Sequence, residues 1–262
     1  MLNSPLRLSI SPCPNDTFMF DAIVNGRIDC EGLAFEVEYH DIEELNRGVE
    51  AAEPDVSKIS CAVLPAISDR YRLLDSGAAL GRGNGPLLVR RKGEQGALRH
   101  ILVPGEHTTA NALVRRLFPE IECREPMLFS EIAAAVESGK ADAGVLIHEG
   151  RFVYERRSLE LVADLGLEWE RQTGLPLPLG GIVIKRELGD DVRAKVERLL
   201  RRSIEYAFAN PMLSRDYVKA HAQEMEDDVI DKHIALFVND FSLSLGEQGR
   251  EAMMCLTGLE EI

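Results

Sequence analysis

The chain of 262 residues lacks paired cysteines: Cys13, Cys30, Cys61, Cys123 and Cys255 are odd in number, lie far apart and form no C-x-x-C. That argues against a disulfide framework and against a zinc site, and it suits a reducing compartment. No apolar run approaches the roughly eighteen residues of a membrane span. The opening MLNSPLRLSISPCPND lacks the long apolar stretch and small-residue cleavage site of a secretory signal, so the expected location is cytoplasmic. Positive charge is scarce, with 30 Lys plus Arg against 44 Asp plus Glu and a formal net charge of -14, so nucleic acid and anionic membranes are not expected partners. A local cationic patch can still hold a small anion, because screening confines its neighbours to about 8–10 Å.

Other absences narrow the chemistry. There is no His-x-x-x-His or His-x-x-Glu-His spacing, so no metal is expected. There is no G-x-S-x-G elbow, and Cys13 has no base visible nearby in sequence. GRGNGPLLV lacks the Lys-Ser/Thr ending of a phosphate loop and runs into a strand rather than a helix, so it reads as a bend that lets backbone approach closely.

What is present is an ordinary globular composition, 45% hydrophobic and 28% charged, in repeated α/β order. LRLSIS alternates as a strand, TFMFDAIVNG follows as a helix, LAFEVEYHD is a second strand, IEELNRGVEA a second helix and DVSKISCAVLPAI a third strand. From residue 99 the order restarts as RHILVPG, TTANALVRRLFP, EPMLFS, EIAAAVESG and ADAGVLIHE, a β-α-β-α-β run that predicts parallel strands with helices on their faces. GLPLPLGGIVIKREL then predicts a long strand, and the remainder reads as helices. The expectation is an α/β, two-lobed molecule whose lobes are mainly parallel sheets flanked by helices. Residues 1–93 and 184–262 form a discontinuous first lobe, residues 94–183 the second, and a ligand cleft lies between them.

Three strand ends should face that cleft, because open α/β sheets deliver their loops to a crevice at the carboxyl ends of the strands. The first is SPCPNDTF, where Asn15, Asp16 or Thr17 can cap a helix; it is either a rigid turn or one wall of the cleft. The second is PGEHTTANAL, where Thr108 and Thr109 open a helix whose free amides suit a carboxylate, although plain N-capping needs no ligand. The third is AGVLIHEG, which brings His148 to a strand end, either as a base or as a histidine bonded to a neighbouring loop. His40, His100, His107, His221 and His233 read as surface positions on helices or loops, and Trp169 reads as packing within a lobe.

Taken together, SPCPNDTFMFDAIVNGRID, KISCAVLPAISDRY, SGAALGRGNGPLLV, VPGEHTTANALVRRL, AGVLIHEGRF and TGLPLPLGGI resemble the 1,4-dihydroxy-6-naphthoate synthases of the futalosine route to menaquinone. The likeness runs over nearly the whole chain in the same order. It implies a fold like that of type II periplasmic binding proteins, used as a cofactor-free lyase that opens cyclic dehypoxanthine futalosine to 1,4-dihydroxy-6-naphthoate and a sugar-derived fragment. It also implies His148 as proton acceptor and substrate contacts at Lys58, Ile59, Ser60, Thr109 and Ala110. Thr108, Asn15, Asp16 and Cys13 join them as candidate substrate-binding residues from their places at the strand ends. Cys61 departs from the family, where a larger, often aromatic residue is expected after the serine, and this bears on the shape of that wall. The partner implied is a small-molecule carboxylate, with a homo-oligomer left open. Competing readings are a chorismate dehydratase of the same pathway and a non-catalytic binding protein for a small organic acid.

Overall fold

The alternation of LRLSI forms β1 (Leu6–Ile10), in which Leu6, Leu8 and Ile10 are buried and Arg7 is exposed. The computed structural model describes residues 4–148, 150–222 and 226–262. After β1 come α1 (Pro14–Val24), β2 (Phe35–Tyr39), α2 (Ile42–Glu50), β3 (Val56–Ser60), α3 (Leu64–Ile67), β4 (Tyr71–Leu73) and β5 (Ala79–Gly81). The chain then enters β6 (Leu87–Arg91), β7 (His100–Val103), α4 (Thr109–Leu117), β8 (Cys123–Pro126), α5 (Phe129–Glu137), β9 (Ala143–Leu146), α6 (Gly150–Val153), β10 (Leu159–Asp164) and α7 (Leu165–Thr173). It returns through β11 (Leu177–Lys185) to α8 (Gly189–Ala209), α9 (Arg215–His221), α10 (Asp227–Phe237), α11 (Asp240–Leu243) and α12 (Gly246–Thr257). Among the described residues no helix is long and apolar enough to cross a membrane.

The strands make two sheets. One runs β2-β1-β3-β11-β4 with β5 also on β11, and the other runs β10-β6-β9-β7-β8. Parallel pairing holds where the sequence shows β-α-β order, in β2-β1-β3 and in β9-β7-β8. The strands that cross between sheets add antiparallel halves, β11 against β3, β4 and β5, and β6 against β9 and β10. Both sheets are covered on two faces, as the period-two alternation of strands requires. Ile182 and Ile184 join one buried cluster with Leu8, Phe18 and Leu199, while Val183 between them joins another with Ile59 and Met253. In the second sheet Leu88 packs with Val103 and Leu113, while Leu87 and Val89 pack with Ile132 and Val136 on the opposite face.

Strand pairing sets where the chain crosses between the two sheets. The sequence reading keeps residues up to 93 in the first lobe, and β6 pairs with β9 and β10 in the second sheet. It returns the chain at residue 184, yet β11 pairs with β3 from Gly180 onward and with β5 from Leu177. The two connections between sheets are therefore residues 82–86 and 174–176. At the first, Gly85 lies so close to α7 that a Cβ there would sit 2.2 Å from the Gly166 nitrogen, which accounts for glycine in the GRGNG bend.

Candidate active site

A cleft opens between the sheets, and Asn15, Asp16, Lys58, Ile59, Ser60, Thr108, Thr109, Ala110 and His148 all line it. Cys13 does not line it and stands behind the wall, its Sγ 3.5 Å from His148 Nδ1. The sequence reading did not select Ser11, Asn84, Arg151, Gly180 and Phe237, which complete much of the lining.

The opening turn is built differently from the expected cap. Helix α1 begins at Pro14, whose fixed φ and missing N–H suit a first helical position, and Cys13 is the N-cap with no side-chain cap hydrogen bond. Asn15, Asp16 and Thr17 lie inside the first turn rather than capping it. Asp16 instead reaches back to Ser11, accepting from its hydroxyl at 2.6 Å and its N–H at 3.3 Å. Its other oxygen accepts from Asn15 Nδ2 at 2.7 Å and from Lys58 Nζ at 2.8 Å. Asp16 is fully buried and Lys58 is 5% exposed, so this ion pair joins α1 to β3 away from solvent. Its hydrogen bonds satisfy the charges that burial would otherwise leave uncompensated.

On β3, alternation turns Lys58 and Ser60 toward the cleft and Ile59 into an apolar cluster, so Ile59 offers the cleft its main chain. Asn46 of α2 holds Ser60 twice, accepting from its N–H at 2.8 Å and donating to Oγ at 3.0 Å. Cys61 is fully buried among Ile59, Val63 and Leu64, away from the cleft lining. Burial pushes its thiol up to about 12, which keeps it neutral.

At α4, Thr108 is the N-cap and its hydroxyl accepts from Asn111 N–H at 3.2 Å. The Thr109 hydroxyl donates to Leu179 O at 2.7 Å and accepts from Ala62 N–H at 3.3 Å, tying the helix start to both β11 and the segment after β3. With that hydroxyl engaged, the donors left for a ligand are the backbone N–H groups of Thr109 and Ala110. They are the first two of the helix, have no intrahelical acceptor and sit at the positive end of its dipole.

His148 follows β9 by two residues and has φ 53, a left-handed conformation that costs a non-glycine residue energy. Its ring meets Phe129 edge-on at 5.0 Å and stacks on His233 with centroids 6.1 Å apart. His233 corrects the expectation of a surface histidine: it has no exposed area, and its Nε2 lies 2.9 Å from Asn15 Oδ1. The signal was available, because Val229, Ile230, His233 and Phe237 form the buried stripe of α10. Burial first, then the charges of His148 and Lys58, hold the His233 pKa well below its ordinary value. Arg151, one turn after His148, donates to Gly85 O and to Asp164 Oδ2, and burial lowers its pKa. Trp169 packs as expected, fully buried with its indole N–H on Pro176 O at 3.1 Å.

Two sheets joined by a double connection around a donor-lined cleft define the class, a two-lobed α/β scaffold of the kind found in binding proteins. A solved Candida albicans protein described as having the generic periplasmic binding protein fold superposes with TM-score 0.71 at 11% identity, over 99% of this chain and 92% of that one. A solved Archaeoglobus fulgidus protein superposes with TM-score 0.90 at 34% identity, over 98% of this chain and 96% of that one. Within that class, the chain belongs to the menaquinone biosynthesis family, whose model matches residues 6–261. It is 45% identical over 253 residues to a 1,4-dihydroxy-6-naphthoate synthase of Thermus thermophilus, covering 95% of this chain and 91% of that one. A synthase of the same name from Streptomyces coelicolor is 43% identical over 254 residues, covering 95% and 90%.

Proposed function

We propose that the cleft converts cyclic dehypoxanthine futalosine to 1,4-dihydroxy-6-naphthoate as a carbon–carbon lyase, with His148 as the base. The observation that carries the reading is that one imidazole and a carboxylate-sized set of donors line a single cleft. The names of the two relatives supply the product, 1,4-dihydroxy-6-naphthoate, and the futalosine-derived substrate is the one that the family resemblance implies. In this reading the substrate carboxylate sits at the start of α4 on the Thr109 and Ala110 N–H groups, with the Ser60 hydroxyl as a further donor. His148 takes a proton from the carbon beside a carbonyl. The electron pair released forms a ring C=C bond as the carbon–carbon bond to the sugar-derived fragment breaks. That fragment leaves with the electrons of the broken bond and takes up the proton that His148 accepted, so the base returns to its neutral form, and aromatisation of the second ring drives the step. Fixed donors and an aimed base are what this chemistry asks of a protein. Movement about the two connections would close the cleft and exclude water.

The reading assigns no cofactor, a small-molecule carboxylate as partner, a cytoplasmic location and no role for nucleic acid, which the net charge of -14 disfavours. The test is to supply the protein with cyclic dehypoxanthine futalosine and follow naphthoate by absorbance and mass, with His148→Ala in parallel. General-base assistance contributes about 10²–10⁴-fold, so the variant should lose at least that lower factor in kcat. An active variant removes His148 from the mechanism. Dehydration of chorismate, or binding of the futalosine derivative without turnover, replaces the proposed reaction.

A further inference from the structure

The proposed reaction makes no use of His233. Its Nε2 faces Asn15 Oδ1 at 2.9 Å, and the Asn15 amide nitrogen already donates to Asp16 Oδ1 at 2.7 Å. The Asn15 oxygen must therefore accept, and Nε2 of His233 carries the proton. Nδ1 is then left as a buried lone pair with no partner among the described residues. The groups around this imidazole come from five elements. They are His148 after β9, stacked with planes 19° apart, Lys58 of β3, Asn15 and through it Asp16 of α1, Phe152 of α6 at 6.4 Å, and Phe237 of α10 at 4.6 Å. The Cys13 Sγ lies 3.5 Å from His148 Nδ1. A proton added to Nδ1 would put a second cation in a dry pocket beside Lys58, next to the ring that has to accept the substrate's proton.

We infer that His233 is a positioning residue for His148: a neutral imidazole, fixed by Asn15 as the Nε2–H tautomer, whose face sets the plane of the base and leaves on His148 any proton the pair takes up. Two interacting imidazoles titrate as a pair, and their unlike surroundings decide which one holds the first proton. One is wholly buried with a fixed bond, while the other borders the cleft. The lowered pKa of His233 agrees with that division. The Asn15–Asp16–Lys58 chain thus links the wall of the cleft to the orientation of the base. This inference rests on reading His148 as that base.

The direct test uses the intact wild-type protein. Long-range proton–nitrogen NMR of the histidine rings between pH 5 and 8 should show His233 neutral with the proton on Nε2 throughout. A His233 that titrates in that window, or that carries its proton on Nδ1, overturns the inference. Kinetics give the second arm. A misplacement of about 1 Å costs on the order of 10²-fold, so His233→Gln, which keeps a donor for Asn15 but loses the ring, should lower kcat by about 10–100-fold with KM within about twofold. His233→Phe, which restores a ring face, should recover part of that loss. A wild-type kcat and pH profile in His233→Gln overturns the inference even if the variant is less stable. His148→Ala separates the two readings: full activity there removes the base itself, whereas loss there with wild-type kinetics in His233→Gln leaves the base standing and removes only His233.

Discussion

At the scale of single residues, the Lys58–Asp16 pair makes the sharpest energetic claim. Both partners are buried, and Asp16 also holds Ser11 and Asn15. Removing one partner of such a pair leaves an uncompensated charge and typically costs about 3–5 kcal/mol, while removing both together often costs much less. Lys58→Met alone should therefore fall in that range by denaturant unfolding, and Lys58→Met with Asp16→Asn should recover a large part of it. Additive losses would show that the pair is not coupled. His233 sets a pH dependence. Its pKa is lowered on folding, so the unfolded chain binds the extra proton more readily. The stability it contributes is present in full above the unfolded value of about 6.5 and is lost as pH falls toward the folded value, with a slope of up to about 1.4 kcal/mol per pH unit. Denaturation curves from pH 7 to pH 5 should show that slope in the wild type, and His233→Phe should flatten it. The sequence made His148 legible because a histidine at the end of an apolar strand is conspicuous. His233 was missed because its neighbours Asp227, Asp228, Asp231 and Lys232 give α10 a charged look, although its stripe of Val229, Ile230 and Phe237 is buried.

At the scale of elements, strand-to-helix junctions carry the site, and these were legible to differing degrees. The start of α4 was found from Thr108 and Thr109, since a threonine before an amphipathic run is a capping signal. That the Thr109 hydroxyl would bond Leu179, 70 residues later, could not be read, because hydrogen bonds between distant elements leave no local pattern. Thr109→Val keeps the shape and removes the hydroxyl. It should cost about 1–3 kcal/mol, because the Leu179 carbonyl loses its partner, and it should raise KM by loosening the helix start from β11. A variant with unchanged stability and KM would make that hydroxyl incidental. Helix α1 shows the converse. Its position was legible, but its cap was not, because three polar residues in a row after Pro14 look alike until Asp16 is seen turning back to Ser11. Strand β10 and helix α7 went unread between two strong motifs, although Asp164 caps α7 by accepting from Gly166 and Leu167 N–H groups.

At the scale of the whole molecule, the two-lobed order was legible from the restarted α/β pattern, while the points of crossing were not. Strand β6 opens on the buried Leu87, Leu88 and Val89 and β11 is largely buried, so composition does not say which sheet each joins, and pairing assigns them. The crossing at Gly85 admits no side chain, so Gly85→Ala must push α7 away from residues 82–86. Both the melting temperature and kcat/KM should fall together, because the same segment supplies Asn84, Gly85 and Pro86 to the cleft. A fall in stability with unchanged kcat/KM would separate the connection from the site. The lobes also touch directly, with His107 donating its N–H to Glu43 at 3.1 Å and its Nδ1 lying 2.8 Å from the same carboxylate.

The late return of β11 has a consequence for the chain as it is made. By the time Asp164 has emerged from a ribosome, every strand of the second sheet is available, so that sheet can form as a unit. The first sheet cannot, because β3 and β4 meet only through β11 and stay apart until residue 185 is out. Until then β3 presents an open edge of unpaired backbone N–H and C=O groups to the cell. The inserted lobe is therefore expected to mature first, and the nascent chain should bind chaperones most strongly while β11 is still inside the exit tunnel.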